Sequence, residues 1–235
     1  MNYCGWSDYK LKVLIIGAHG QIGQLLVKML QESTTCQVIA GLRSHEQEKA
    51  YQEKGITTAF VDLAGPQGQL VKVMQTVDVV VFAAGSGGKT GADATMMIDL
   101  DGAVKAINAA KETGVHRFIM ISAIKSDDRS FWSDNAPAAG PQNYYYAAKY
   151  YADQWLLHSS LDYTILRPVA LTNQKGTGKI KVANHFTDSI ADMTITRQDV
   201  ARTVTDIILT GKLHQKEFDI ANGSVPIAQA ITNFH

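Results

Sequence analysis

Short apolar runs alternate with amphipathic stretches along most of this chain, and the two patterns predict different elements. Runs of β-branched and aliphatic residues suit strands covered on both faces, whereas apolar positions at i, i+3 and i+4 suit helices packed by one face. Strands are predicted at 12–16, 37–41, 58–61, 78–83, 117–122 and 163–166. Helices are predicted near 21–32, 46–54, 67–75, 95–113 and 144–158, each in the gap between two strands. Regular strand–helix alternation with short connections is the pattern of a parallel sheet with helices on both sides. Beyond Pro168 the rhythm changes. Residues 172–193 are polar and irregular, with Gly176 and Gly178 in a predicted flexible loop, before a helix at 197–210, a strand at 217–220 and a helix from Pro226.

Composition narrows the function classes. The 235 residues carry 22 Lys and Arg against 22 Asp and Glu, which leaves no electrostatic basis for a nucleic-acid or membrane surface. No apolar run reaches membrane-spanning length, and residues 1–10 are too polar for a signal peptide, so a cytoplasmic protein is expected. Cys4 and Cys36 have no metal-ligand spacing and are expected to be reduced thiols. The histidines are scattered, and no metal site is expected.

The first strand runs directly into Gly17-Ala18-His19-Gly20-Gln21-Ile22-Gly23, and an amphipathic helix follows. A helix N-terminus offers unpaired N–H groups and the positive end of a dipole, and glycines let a phosphate approach closely. That context predicts a dinucleotide cradle, with His19 a loop residue near the pyrophosphate, and an α/β, doubly wound parallel-sheet Rossmann fold. Residues 1–10 would be an N-terminal extension, 11–170 the NAD(P)-binding domain, and 171–235 a small C-terminal cap on the substrate side that completes the same domain. Strand two ends Gly41-Leu42-Arg43-Ser44, without the carboxylate that a ribose 2′-hydroxyl favours. Arg43 can grip a 2′-phosphate through its planar fork, so NADP(H) is preferred over NAD(H); its other reading is a solvated arginine. Asp62, followed by Leu63, has two equal readings, an adenine contact or a local cap. The small residues Ala83-Ala84-Gly85 after strand four leave room for a ring or ribose. From Ala83 the same loop reads as a relaxed P-loop ending Gly88-Lys89-Thr90, but its place after the fourth strand argues against that.

Tyr145 and Lys149 form the sole Tyr-x-x-x-Lys in the chain, and on a helix they share a face. An ammonium beside a phenol is expected to lower the tyrosine pKa toward a range useful for proton transfer. Ser122 ends strand five on the rim of the glycine turn, where its hydroxyl could polarise a substrate carbonyl; its other reading is a strand-end turn residue. Together the glycine turn, Ala83-Ala84-Gly85, Ser122, Tyr145-x-x-x-Lys149 and Arg167-Pro168 resemble the short-chain dehydrogenase/reductase superfamily. The chain is most similar to its atypical NAD(P)-binding branch of epimerase/dehydratase type, strongly over 11–170. The resemblance implies Tyr145 as acid/base, Lys149 on the nicotinamide ribose, Ser122 orienting the substrate, and the backbone of Pro168 and Val169 near the nicotinamide.

The expected activity is therefore an NADP(H)-dependent oxidoreductase that moves a hydride to or from a small carbonyl or alcohol. A sugar-nucleotide epimerase or dehydratase and a non-catalytic NADP(H)-binding sensor are the alternatives. The short C-terminal segment disfavours a large nucleotide-sugar substrate. A monomer or homodimer is expected. The loop with Phe131, Trp132, Pro137 and Pro141 would either close over a substrate or form a dimer contact or local cluster. Asp99 and Asp101 are expected to be solvated or to meet neighbouring loops.

Overall fold

The structure is a computed structural model that describes residues 9–87, 90–133 and 139–234. Its first half is the strand–helix alternation read from the sequence: β1 (Leu11–Ile16), α1 (Gln21–Gln31), β2 (Cys36–Leu42), α2 (His45–Gln52), β3 (Thr57–Phe60), α3 (Gly68–Met74) and β4 (Val79–Phe82). A long helical segment follows in three parts, α4 (Ala92–Thr95), a π-helical stretch Met96–Asp101 and α5 (Gly102–Thr113). The chain continues through β5 (Arg117–Ile121), α6 (Arg129–Ser133), α7 (Asn143–Leu157) and β6 (Asp162–Pro168).

These strands lie in the order β3-β2-β1-β4-β5-β6, all parallel. The order reverses beside β1 and β4, which opens a crevice above their carboxyl ends. Side chains alternate between the two faces along each strand. Val13, Ile15, Val79 and Val81 pack with Leu26 and Leu30 of α1. Leu14, Ile16, Val80 and Phe82 pack on the opposite face with Leu70 of α3, Ala106 of α5 and Ala152 of α7. This two-sided burial is why the central strands read as unbroken apolar runs.

The C-terminal segment extends the same sheet. After β7 (Ala170–Thr172), residues within the predicted irregular loop form β8 (Lys179–Ala183). Then come β9 (Thr194–Thr196), α8 (Arg197–Thr210), β10 (Lys216–Asn222), β11 (Val225–Pro226) and α9 (Ile227–Asn233). β10 adds to β6 in parallel, β8 pairs antiparallel with β10 and β11 antiparallel with β8, so nine described strands form one sheet. α8 shares the core of α1 through Val204 and Ile207. Lys179-Ile180-Lys181-Val182 alternates over only two apolar positions, with Ile180 buried and Val182 partly buried against the core, a run too short to stand out from the polar segment around it; pairing with β10 makes it a strand.

Candidate active site

Glycine geometry builds the phosphate end of the crevice. Gly17 adopts φ +87°, a left-handed conformation that side chains disfavour, and a Cβ there would lie 2.7 Å from the Ala84 backbone. A Cβ on Gly23 would lie 2.2 Å from the Gly17 carbonyl oxygen. The turn thus packs against itself and against the loop after β4. Gly20 caps α1 with no side chain folded over the helix start, and the first turn contains no acidic residue. The N–H groups and dipole of α1 therefore face the crevice, a cradle that fits a pyrophosphate. Ala18 N–H donates to the Gly41 carbonyl at 3.3 Å, and Tyr51 Oη–H donates to the Ala18 carbonyl at 3.0 Å. The first bond sets the turn beside the end of β2, where Arg43 stands exposed.

A cleft of about 380 Å³ runs from this cradle to the end of β5. Of the residues singled out from the sequence, Gly20, Gln21, Ile22, Ala83, Ala84, Gly85, Ser122, Tyr145 and Lys149 line it. Gly17 and Gly23 lie behind the cradle and shape it. His19 is exposed, its ring 6.2 Å from that of Tyr51. The Asp62 carboxylate accepts the Ala64 N–H at 3.0 Å, which closes its own turn. Leu63 is buried against Gly102. The Pro168 carbonyl accepts from Ile124 N–H at 3.0 Å, and Val169 N–H donates to Ile220 at 3.1 Å, so both groups are already engaged. Lys89 lies outside the described residues. A larger groove of about 970 Å³, lined by Met96, Met97, Tyr151 and Trp155, runs along α5 and α7 but contains none of the glycine turn.

At the β5 end of the cleft Lys149 Nζ sits 5.7 Å from the centre of the Tyr145 ring and 3.1 Å from Asp99 Oδ1. Both members of this ion pair are almost fully buried. Asp99 Oδ2 also accepts the Ser86 N–H at 2.8 Å, so one carboxylate ties the lysine to the loop after β4. Burial opposes the Lys149 ammonium, yet the negative charge around it, with the Asp99 carboxylate in direct contact, carries its pKa above the ordinary lysine value. Tyr145 departs from expectation: its pKa is raised. Burial outweighs the nearby ammonium, and Asp99 and Asp153 push in the same direction as burial. The phenol is thereby held protonated.

Ser122 Oγ–H donates to Asp153 Oδ2 at 2.7 Å, and Ser126 Oγ–H donates to the same oxygen at 3.1 Å. The serine proton is committed to the protein, and Ser122 turns acceptor lone pairs toward the cleft rather than a donor. Asp153 is fully buried, which pushes its pKa up to about 6 against the opposing pull of Arg167 and the Ser122 hydrogen bond. Arg167 Nε lies 3.5 Å from Asp153, and its other nitrogens meet Asp127 and Glu217.

Other cleft residues escaped the sequence reading, among them Thr95, Gln142, Leu171 and Arg197, and Asp99 was not placed in the cleft. Asp99 is buried and meets a neighbouring loop through the Ser86 N–H, the second of its two expected readings, whereas Asp101 pairs with Lys105 at 2.7 Å on the surface. A signal existed for Asp99, since Thr95, Asp99, Ala103 and Ala106 fall along one helical stripe that is otherwise small or apolar. The π-helical stretch that holds Asp99 is a feature often found at functional sites. Asp153 also had a signal, one helical step of four beyond Lys149. The aromatic loop resolves into a local cluster, with Trp132 buried, its Nε1–H on the Ser126 carbonyl at 2.8 Å, and Phe131 edge-on to Tyr146. Pro137 lies outside the described residues.

Many solved structures resemble this fold. The uncharacterized sugar epimerase YhfK of Bacillus subtilis is 39% identical over 94% of this chain and 99% of its own length. A Bacillus halodurans structure, provisionally assigned as an NAD-dependent epimerase/dehydratase, superposes with a TM-score of 0.83 at 36% identity, covering 95% of this chain and all of that one. The oxidoreductase ylbE of Lactococcus lactis superposes with a TM-score of 0.82 at 31% identity, over 95% of this chain and 96% of that one. The family described as NAD(P)H-binding matches residues 17–210. With its glycine cradle and Rossmann-type sheet, the chain belongs to the NAD(P)H-binding family.

Proposed function

We propose that the protein is an NADP(H)-dependent oxidoreductase that reduces a small carbonyl compound, with Tyr145 as proton donor. The observation that carries this reading is that Tyr145, Lys149 and Ser122 line one cleft with the start of α1. A bound dinucleotide supplies the hydride. Tyr145, held as a phenol by burial, is poised to give its proton to the carbonyl oxygen as negative charge develops there. Lys149, fixed by Asp99, supplies positive charge beside that oxygen and a donor for the cofactor ribose. Ser122 offers an acceptor that orients the resulting hydroxyl, because Asp153 holds its proton. Arg43, exposed past β2 beside the glycine turn, is the group for a 2′-phosphate. The oxidoreductase name of the Lactococcus lactis relative supports the same class of chemistry.

The test is NADPH oxidation across a panel of small aldehydes and ketones, with Tyr145→Phe as the decisive variant. Loss of a general acid costs about 10²–10⁴ in kcat. NADPH affinity should be unchanged, and wild-type turnover by Tyr145→Phe would defeat the mechanism. Arg43→Ala should lower NADPH affinity at least tenfold relative to NADH, the scale of a charge-assisted phosphate bond; an unmoved ratio removes the NADP preference. A sugar epimerase, as the Bacillus subtilis relative is named, returns its hydride to the substrate. It would interconvert a sugar with no net NADPH consumption, and that readout separates the two reactions.

A further inference from the structure

We propose that Arg197, the first residue of α8, clamps the cofactor pyrophosphate from the side opposite the glycine turn, so that the phosphate site is built from two ends of the chain. The inference rests on dinucleotide binding alone and not on the catalytic roles given to Tyr145 or Ser122.

The geometry begins with the small parallel pair β7 and β9. Its register sets Leu171 beside Ile195 and Thr172 beside Thr196, which brings the start of α8 against the chain leaving β6. Thr196 caps α8 through its hydroxyl, which accepts the Asp199 N–H, and so fixes where the helix begins. α8 then packs along α1 with both helix starts at the carboxyl edge of the sheet. Arg197 consequently lines the same cleft as Gly20, Gln21 and Ile22.

The charge balance there is what points to an anion. Among the described residues that line the cleft, the lysines and arginines are Lys149 and Arg197. Lys149 already has a carboxylate partner, Asp99, at the far end. Among the described residues Arg197 has only neutral partners: Nη1 donates to the Leu171 carbonyl at 3.3 Å and to Asn173 Oδ1 at 2.8 Å. One edge of the guanidinium is thus tethered and the plane fixed, while the charge stays uncompensated. The second cavity that Arg197 borders, about 720 Å³ on the outer side of α1, is lined by Lys28, Lys175 and several amides, with no carboxylate among its described lining. In neither cavity does a described carboxylate pair with the arginine. A pyrophosphate resting on the α1 N–H groups carries two negative charges that those groups hydrogen-bond but do not neutralise. A tethered guanidinium facing them supplies the missing charge in a fork that matches phosphate oxygens.

The test compares wild-type protein with Arg197→Gln and Arg197→Lys. Affinities for NADPH and NADH are read from nicotinamide fluorescence, and affinity for ADP-ribose by calorimetry. All three ligands carry the pyrophosphate, so Arg197→Gln should weaken each by a similar factor, about tenfold to a hundredfold. Arg197→Lys should fall between, because a point charge does not fork. Arg43→Ala, in contrast, should affect NADPH alone. Unchanged affinity for all three in Arg197→Gln overturns the proposal. So does a loss confined to NADPH, which would place the arginine at the 2′-phosphate, or one confined to the two nicotinamide ligands, which would place it at the ring. If Arg197→Gln does not fold, Arg197→Lys carries the test, and wild-type affinity for all three ligands overturns the proposal. Wild-type protein that binds none of the three would overturn the cofactor reading as well, an outcome distinct from wild-type binding that Arg197→Gln leaves intact.

Discussion

Replacing Gly23 by alanine would put a methyl carbon 2.2 Å from the Gly17 carbonyl oxygen, 2.8 Å from Ala18 Cα and 2.9 Å from the Ala18 carbonyl carbon. Carbon–oxygen contacts settle no closer than about 3.3 Å, so roughly 1 Å must be found. All three obstacles are backbone atoms of the phosphate turn, and no side-chain rotation relieves them. Either the first turn of α1 moves off the loop or the loop moves off β4, where Gly17 already touches Ala84. Overpacking of this kind costs about 1–3 kcal/mol, and a backbone-only clash belongs at the upper end. Alanine regains about 1 kcal/mol through its better helix propensity. The net loss is about 2 kcal/mol, or about 4–8 °C in Tm for a chain of this size. Displacement of the cradle by about 1 Å should also weaken NADPH binding, because hydrogen bonds lose strength steeply with misalignment. Gly20→Ala is the control for stability. Its Cβ would meet the Gly17 oxygen at 3.2 Å, and its φ of −67° and ψ of 163° suit any residue, so its Tm should fall by less than half as much. Thermal unfolding and fluorescence titration of both variants decide the matter. A Gly23→Ala protein with wild-type Tm and affinity, or a Gly20→Ala protein that melts lower than Gly23→Ala, would refute the packing argument.

Two further expectations concern buried charge. Asp99→Asn leaves the buried Lys149 ammonium without its counter-ion and turns an amide donor toward either that ammonium or the Ser86 N–H. Breaking one side of a buried pair costs about 3–5 kcal/mol, which should appear as a lower urea midpoint at unchanged m; a midpoint like the wild type would mean that the pair is not intact in solution. Asp219, whose carboxylate accepts the Phe186 N–H at 2.7 Å, is pushed from 3.8 up to about 6, first by burial and then by the nearby Asp127 charge. Because the folded state holds this proton more tightly than the unfolded one, its contribution to stability is full below about 4 and is lost as pH rises through about 6. Asp219→Asn keeps an acceptor for Phe186 but cannot ionise, so its Tm relative to wild type should climb across that window and level off above it. A difference that is flat with pH would show that Asp219 does not titrate there.

Local chemistry made much of this protein legible before folding. Unbroken apolar runs such as that from Val13 to Ile16 announce strands buried on both faces, and Gly17, Gly20 and Gly23 at the first strand–helix junction announce the tight turn that leaves the start of α1 uncapped by any side chain. In each case the physical cause lies within a few residues of its effect. Tyr145 and Lys149 were visible for the same reason, since four helical residues bring them together whatever else the chain does. What surrounds them was decided by tertiary packing. Burial of Tyr145, helped by Asp99, which meets Lys149 from a helix fifty residues earlier, keeps the tyrosine a protonated acid instead of letting it be drawn toward phenolate. Ser122 gives its proton to Asp153 across two elements, which reverses the direction in which it can bond a substrate. Arg197 reaches the cleft only because β9 pairs with β7 and α8 lies along α1. Spacing along a strand or helix determines which side chains share a face. Burial and charge balance, which set protonation and hydrogen-bond direction, depend on partners distant in sequence and exist only once the sheet has closed around them.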